Sequence, residues 1–131
     1  MLVDSNVLLD VLTEDPTWFD WSSSRLADLA EEAPLAINPI VYAEVSIRFD
    51  RIEDLDDAVP PDQFGREGLP WEAAFLAGKV FLEHRKRGGR REFPLPDLYI
   101  GAHAAVRRWR LLTRDPRRYR TYFPSLHVIA P

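Results

Sequence analysis

Apolar residues in this chain come as short runs of two or three, each followed by a stripe at helical spacing. Leu2-Val3 is the first run, stopped by Asp4-Ser5-Asn6 and followed by Val7, Leu8, Val11 and Leu12 one turn apart. Ser5 reads as the N-cap of that helix. Pro16 reads as the opening of a second helix to about Glu32, with Asp15 as its cap and Trp18, Phe19, Leu26 and Leu29 available for one face. Leu35-Ala36-Ile37 is a second short strand, and Asn38-Pro39 a helix start with proline at the first helical position. That helix is predicted to reach about Phe49.

Residues 50–70 are acidic and proline-rich and predict a short helix near Glu53–Val59, then a loop with no clear strand. A long helix follows from Trp71 to about Arg87, with Trp71, Ala74, Phe75, Gly78, Phe81 and Leu82 as its packing stripe and Gly88-Gly89 as its stop. Pro94-Leu95-Pro96 leads to Asp97, read as the cap of a helix to Arg108 that packs through Leu98, Gly101, Ala102 and Ala105. Leu111-Leu112-Thr113 is a third strand, Asp115-Pro116 starts a short helix, and His127-Val128-Ile129 is a last strand. Short apolar strands alternating with helices predict an α/β fold, a parallel sheet covered on both faces.

Length and composition add bounds. At 131 residues, 46% hydrophobic and 29% charged, the chain reads as one globular domain over 1–131. No apolar run approaches the roughly 20 residues of a membrane span, and no basic stretch precedes a hydrophobic one as in a signal peptide. The absence of cysteine excludes disulfides and thiolate metal sites and fits a cytoplasmic location. The net charge of −4 conceals an asymmetry: residues 1–72 carry 4 Arg against 17 acids, and residues 73–131 carry 13 Lys/Arg against 4 acids. A basic half can attract a polyanion, or simply neutralise the acidic half across the fold.

Four acids then stand out because apolar neighbours surround them: Asp4, Glu44, Asp97 and Asp115. Each has an ordinary explanation: Asp4, Asp97 and Asp115 as turn or cap residues, and Glu44 as the partner of Arg48 one turn on. Burying a carboxylate is nonetheless costly without a cation or donors. Asp4, Asp97 and Asp115 fall at strand ends or helix starts, which can share one edge of a sheet. Two carboxylates about 4 Å apart repel by roughly 4 kcal/mol at an effective dielectric of 20, so converged acids call for a cation or a shared proton. Oxygen ligands without His or Cys select Mg²⁺ or Mn²⁺ over zinc.

These segments resemble the PIN domain family, and within it the VapC-type ribonuclease toxins of toxin–antitoxin pairs. The matching pieces are Val3–Asp10, Asn38–Glu44, Leu95–Ala104 and Leu112–Tyr119, in the family's order and over nearly the whole length. The resemblance implies a three-layer α/β/α sandwich on a parallel sheet and an acidic pocket for Mg²⁺, with Mn²⁺ as an alternative. It implies Asp4 and Asp97 as the principal metal ligands, Glu44 as the helix-borne catalytic acid, Asp115 as the more variable fourth, and Asn6 and Thr113 as supports. It further implies endoribonuclease activity that expels the 3′-oxygen and leaves a 5′-phosphate, and a VapB-like antitoxin partner whose tail would block the pocket.

Arg114, Arg117 and Arg118 flank Asp115 and are the first choice for phosphate contacts, ahead of Arg85, Lys86, Arg87, Arg90, Arg91, Arg107, Arg108, Arg110 and Arg120. Tyr119, Tyr122 and Phe123 are candidates for stacking on unpaired bases, with core packing as the alternative. Trp18, Phe19 and Trp21 cannot all be buried on one helix face and suggest a patch for a partner's helix or for a homodimer. Two other classes compete: a non-catalytic interaction module whose acids are caps, and a DNA nuclease with the same pocket. An Asp-x-Asp phosphotransferase is disfavoured because position 6 is Asn.

Overall fold

The computed structural model describes residues 1–88 and 95–131. Its elements run β1 (Leu2–Val3), α1 (Ser5–Leu12), α2 (Phe19–Glu32), β2 (Leu35–Ile37), α3 (Pro39–Ser46), α4 (Ile52–Ala58) and β3 (Phe64–Arg66). They continue with α5 (Trp71–Lys86), α6 (Leu95–Arg107), β4 (Leu111–Leu112), α7 (Arg117–Tyr122) and β5 (Val128–Ile129). The five strands form one sheet in the order β3-β2-β1-β4-β5, every pair parallel. With helices on both faces this is the expected α/β/α sandwich. The three inner strands are wholly buried and the two edges only partly so.

This order determines where a ligand can sit. From the central β1 the chain moves outward to β2 and β3, then crosses back to add β4 and β5 on the other side. The reversal between β1 and β4 opens a crevice beyond the carboxyl ends of the two strands. Leu2 lies opposite Leu111 and Val3 opposite Leu112, so the next residues, Asp4 and Thr113, come out side by side. The Asp4 N–H donates to the Leu112 carbonyl at 2.9 Å and holds that register to the last step.

Several local expectations are corrected. Asp4, not Ser5, caps α1, its carboxylate accepting from the Ser5 N–H. The second helix starts at Phe19 rather than Pro16, because the Asp15 carboxylate holds the Thr17 and Trp18 N–H groups in a turn. Asn38 caps α3 as expected, its Oδ1 accepting from the Val41 N–H, but the helix ends at Ser46. A third strand, Phe64–Arg66, lies in the stretch predicted to be loop. It is an edge strand of Phe-Gly-Arg without the apolar alternation that marks a strand, and backbone pairing to β2 holds it.

The packing face of α5 is also different. Ala73, Ala77, Val80 and His84 are buried, whereas Trp71 and Phe75 are 89% and 69% exposed. A face of alanines lets α5 lie close along α6, and the large aromatics at the expected stripe would hold the two helices apart. Asp97 lies in the first turn of α6, which begins at Leu95, and so is not its N-cap. Gly88 ends α5 with φ of +77°, a left-handed backbone that suits glycine. Gly89, Arg90, Arg91 and Pro94 lie outside the described residues. Among the described residues no helix is long and apolar enough to cross a membrane.

Candidate active site

At the β1–β4 crevice Asp4 is almost fully buried and accepts three hydrogen bonds. One oxygen takes the Ser5 N–H at 2.8 Å and lies 3.4 Å from the Ser5 hydroxyl. The other takes the hydroxyls of Thr113 at 2.8 Å and Tyr119 at 2.9 Å. Thr113 is saturated: its one hydrogen goes to Asp4 while its oxygen accepts from Asn6 Nδ2 and from the Asp115 N–H, each at 3.2 Å. Asn6 in turn accepts the Arg114 N–H at 3.1 Å, so it ties the start of α1 to the loop after β4. Both expected supports, Asn6 and Thr113, therefore touch the acid or the group that orients it.

Glu44 reaches the site from α3. Its carboxylate accepts the Ser5 hydroxyl at 3.0 Å, so Ser5 bridges it to Asp4, and among the described contacts it makes no pair with Arg48. Asp97 comes from the first turn of α6 and is close enough to raise the proton affinity of both Asp4 and Glu44. Burial lifts the Asp4 carboxyl from 3.8 to about 6. The Thr113 and Tyr119 hydroxyls oppose that rise, and the charges of Asp97 and Glu44 add to it. Glu44 is also raised, first by burial. The Tyr119 hydroxyl is held well above the usual tyrosine range, by burial first and then by the charge of Asp4, so it remains a donor. Asp4, Glu44 and Asp97 thus form one electrostatic unit.

Asp115 stands apart. Its side chain is 51% exposed and faces Arg117 at 3.4 Å, and it is absent from the charges that raise Asp4. Among the described residues no three acids form a ready-made coordination cluster. The donor set still fits a hard cation, because Mg²⁺ keeps several waters and is bound through one or two carboxylates. Asp4 and Asp97 would hold it, beside Glu44, to which the charges of both are coupled.

The three first-choice arginines have different surroundings. Arg114 is committed to the fold: its Nε meets both oxygens of buried Asp10 at 3.2 and 3.0 Å, and its guanidinium lies 5.6 Å from the Trp18 ring centroid. Asp10 also accepts the Ser22 hydroxyl at 2.7 Å, which locks α1 to α2. Trp18 therefore serves this junction, and Trp18, Phe19 and Trp21 are half-buried instead of forming an open patch. Arg117 is 88% exposed. Arg118 donates to Asp97 at 2.9 Å.

Tyr119 and Phe123 are buried and cannot stack on bases, while Tyr122 is half-buried against His84. The sequence marks Ser5 only as a cap and Tyr119 only as a candidate for base stacking, not as the hydroxyls that meet Glu44 and Asp4. Tyr119 and Phe123, one turn apart, carry the signal in retrospect, since that spacing marks the inward face of α7.

The chain is similar in structure to VapBC2 from Rickettsia felis bound to a DNA fragment from its promoter, at 19% identity over 99% of this chain and 97% of that one, with a TM-score of 0.77. It is similar also to VapBC-1 from nontypeable Haemophilus influenzae (17% identity, 98% and 96% covered, TM-score 0.74) and to FitAcB from Neisseria gonorrhoeae (18%, 98% and 95%, 0.71). These likenesses concern the fold. No curated protein matches by sequence. The PIN domain pattern matches residues 1–124, which include every acid of the site. The chain belongs to the PIN domain family.

Proposed function

We propose that this chain is a Mg²⁺-dependent endoribonuclease, with Mn²⁺ as an alternative ion, acting as the toxin of a type II toxin–antitoxin pair. The observation that carries the reading is a buried carboxylate, Asp4, at the carboxyl end of the central strand, facing two further acids that raise its proton affinity. An acid so placed costs stability in the free protein and gains it back when a cation arrives, as in a metal site. When bound, such an ion supplies charge neutralisation at the phosphate and activation of water.

The chain's own residues do the rest. Ser5, Thr113 and Tyr119 fix both oxygens of Asp4, so that it meets a ligand without reorganising. Glu44, held by the Ser5 hydroxyl and raised by burial, is suited to orient water and take its proton at a carboxylate oxygen. Asp115, on the open rim with Arg117, would complete the shell from outside.

The similarity to VapBC structures supports an antitoxin as partner. So does an apolar groove of about 540 Å³ lined by Leu8, Leu12, Leu26, Ala30, Val59 and Phe64, the kind of surface on which an apolar helix face docks. A VapB-like antitoxin is the occupant we assign, and a homodimer of this chain and a cytoplasmic location belong to the same proposal.

The test is cleavage of single-stranded RNA and of DNA of the same sequence, in Mg²⁺, by wild type and Asp97→Asn. We expect wild type to cut RNA and leave a 5′-phosphate, and Asp97→Asn to be inactive with its fold intact. Undiminished cleavage by the variant would remove the assignment. Cleavage of DNA alone would turn the proposal to a DNA nuclease, and no cleavage of either, with no shift in melting on adding Mn²⁺, to an interaction module.

A further inference from the structure

The last helix sends two consecutive side chains into the acidic pocket. Tyr119 gives its hydroxyl to Asp4 and Arg118 its guanidinium to Asp97, at 2.9 Å in each case. Both of the acids assigned to the cation are thus met from α7. The approach depends on Gly101, one turn after Asp97 on α6: a Cβ there would lie 2.4 Å from Phe123 Cε2 and 3.1 Å from Tyr119 Cδ1. The two arms differ in freedom. Tyr119 is buried, but Arg118 is 46% exposed on a long side chain, and Asp97 is 24% exposed. An ion pair that open to water holds its partners only weakly, so it can be exchanged.

We infer that Arg118 is a transferable counter-ion: it neutralises Asp97 in the cation-free protein and passes to a phosphate oxygen of the nucleic acid when a divalent cation takes its place. This rests on the metal-dependent reading above. Arg118 and the cation are both positive and meet at one carboxylate, so the pair disfavours cation binding through charge repulsion. A guanidinium 46% exposed at this position can meet an incoming phosphate, for which its planar fork is suited. Arg118 is then a positioning residue that couples cation entry to substrate capture. Arg117, alongside it, is already directed outward to Asp115.

The experiment is Mn²⁺ calorimetry without nucleic acid on wild type, Arg118→Gln, Arg118→Lys and Asp97→Asn, each checked by urea unfolding. Arg118→Gln should bind Mn²⁺ about 2- to 5-fold more tightly than wild type, the range of a half-exposed ion pair. Arg118→Lys should return toward wild type, and Asp97→Asn should bind much more weakly. In a second arm, a short fluorescein-labelled single-stranded RNA is titrated in Ca²⁺. The slope of log affinity against log salt should fall by about 0.7 in Arg118→Gln, the loss of one phosphate contact. Unchanged or weaker Mn²⁺ binding by Arg118→Gln, with Asp97→Asn impaired, overturns the exchange and leaves the metal site standing. An unchanged salt slope overturns the phosphate half. Wild-type Mn²⁺ binding by Asp97→Asn removes the metal-site reading itself.

Discussion

Asp4 should make the cation-free protein less stable as pH rises. Its carboxyl is raised from 3.8 to about 6, chiefly by burial, so the native state keeps a proton that the unfolded chain releases near pH 4. Between those values the native state binds more protons than the unfolded one, and stability therefore falls with increasing pH. The shift of about 2 units corresponds to about 3 kcal/mol, lost in full by about pH 7. That is a large part of the 5–15 kcal/mol typical of a domain.

The perturbation is Asp4→Asn, which cannot ionise. Its amide also places a donor where Asp4 accepts from Thr113 and Tyr119, which costs about 1–3 kcal/mol at every pH. Only the slope is therefore diagnostic. The assay is urea unfolding in EDTA at intervals from pH 4 to pH 7.5. Wild type should lose about 3 kcal/mol more than Asp4→Asn across that range, with a smaller loss common to both from Glu44, which is raised in the same direction. Millimolar Mn²⁺ should reverse the wild-type slope near pH 7, because the ionised acid then has a partner. Parallel wild-type and variant curves in EDTA would refute the argument that Asp4 is a strained acid.

Gly101→Ala should destabilise by about 1–3 kcal/mol in urea, since the new methyl group would lie 2.4 Å from the Phe123 ring and force α7 outward. Tyr119→Phe should cost about 1–2 kcal/mol and move the pH midpoint of the Asp4 effect upward, because it removes a hydrogen bond that favours the ionised form. Arg114→Ala should cost about 3 kcal/mol by stranding the buried Asp10 charge. Arg114→Ala with Asp10→Ala should cost less than the two singles combined, a coupling that a double-mutant cycle in urea would measure.

The parts of this fold that were legible in the chain are those in which one element states its own neighbourhood. Leu35–Ile37 is apolar throughout because it is covered on both faces, and Asn38-Pro39 carries its helix start in two residues. Asp4 could be placed because it directly follows a buried strand, at the sheet end where ligands bind in parallel sheets. Illegible were the features set by a distant partner. β3 is a strand because β2 offers it a free edge, and nothing in Phe-Gly-Arg announces that. The α5 stripe misled because Trp71 and Phe75 outweigh Ala73 and Ala77 in hydrophobicity, while close contact with α6 favours the small residues. Arg114 looked free because its partner, Asp10, lies more than a hundred residues earlier.

The acids alone do not define the site. Asp4, Glu44 and Asp97 could be named from the sequence, but their partners come from several elements: Ser5 and Thr113 just beyond β1 and β4, and Tyr119 and Arg118 from α7. Phe123 and Tyr119 lie on α6 only because position 101 has no side chain, and that seat brings the Tyr119 hydroxyl to Asp4 and the Arg118 guanidinium to Asp97. Without those two donors Asp4 would be still harder to ionise, and Asp97 would face its neighbouring acids without a counter-charge. The first would oppose an entering cation, and the second is one that the cation itself would relieve. A helix of six residues, held by ordinary core packing, thus gives a donor to two of the three coupled acids, one through a buried contact and one through a more exposed one. Core substitutions beneath α7 should therefore alter cation affinity without touching any ligand.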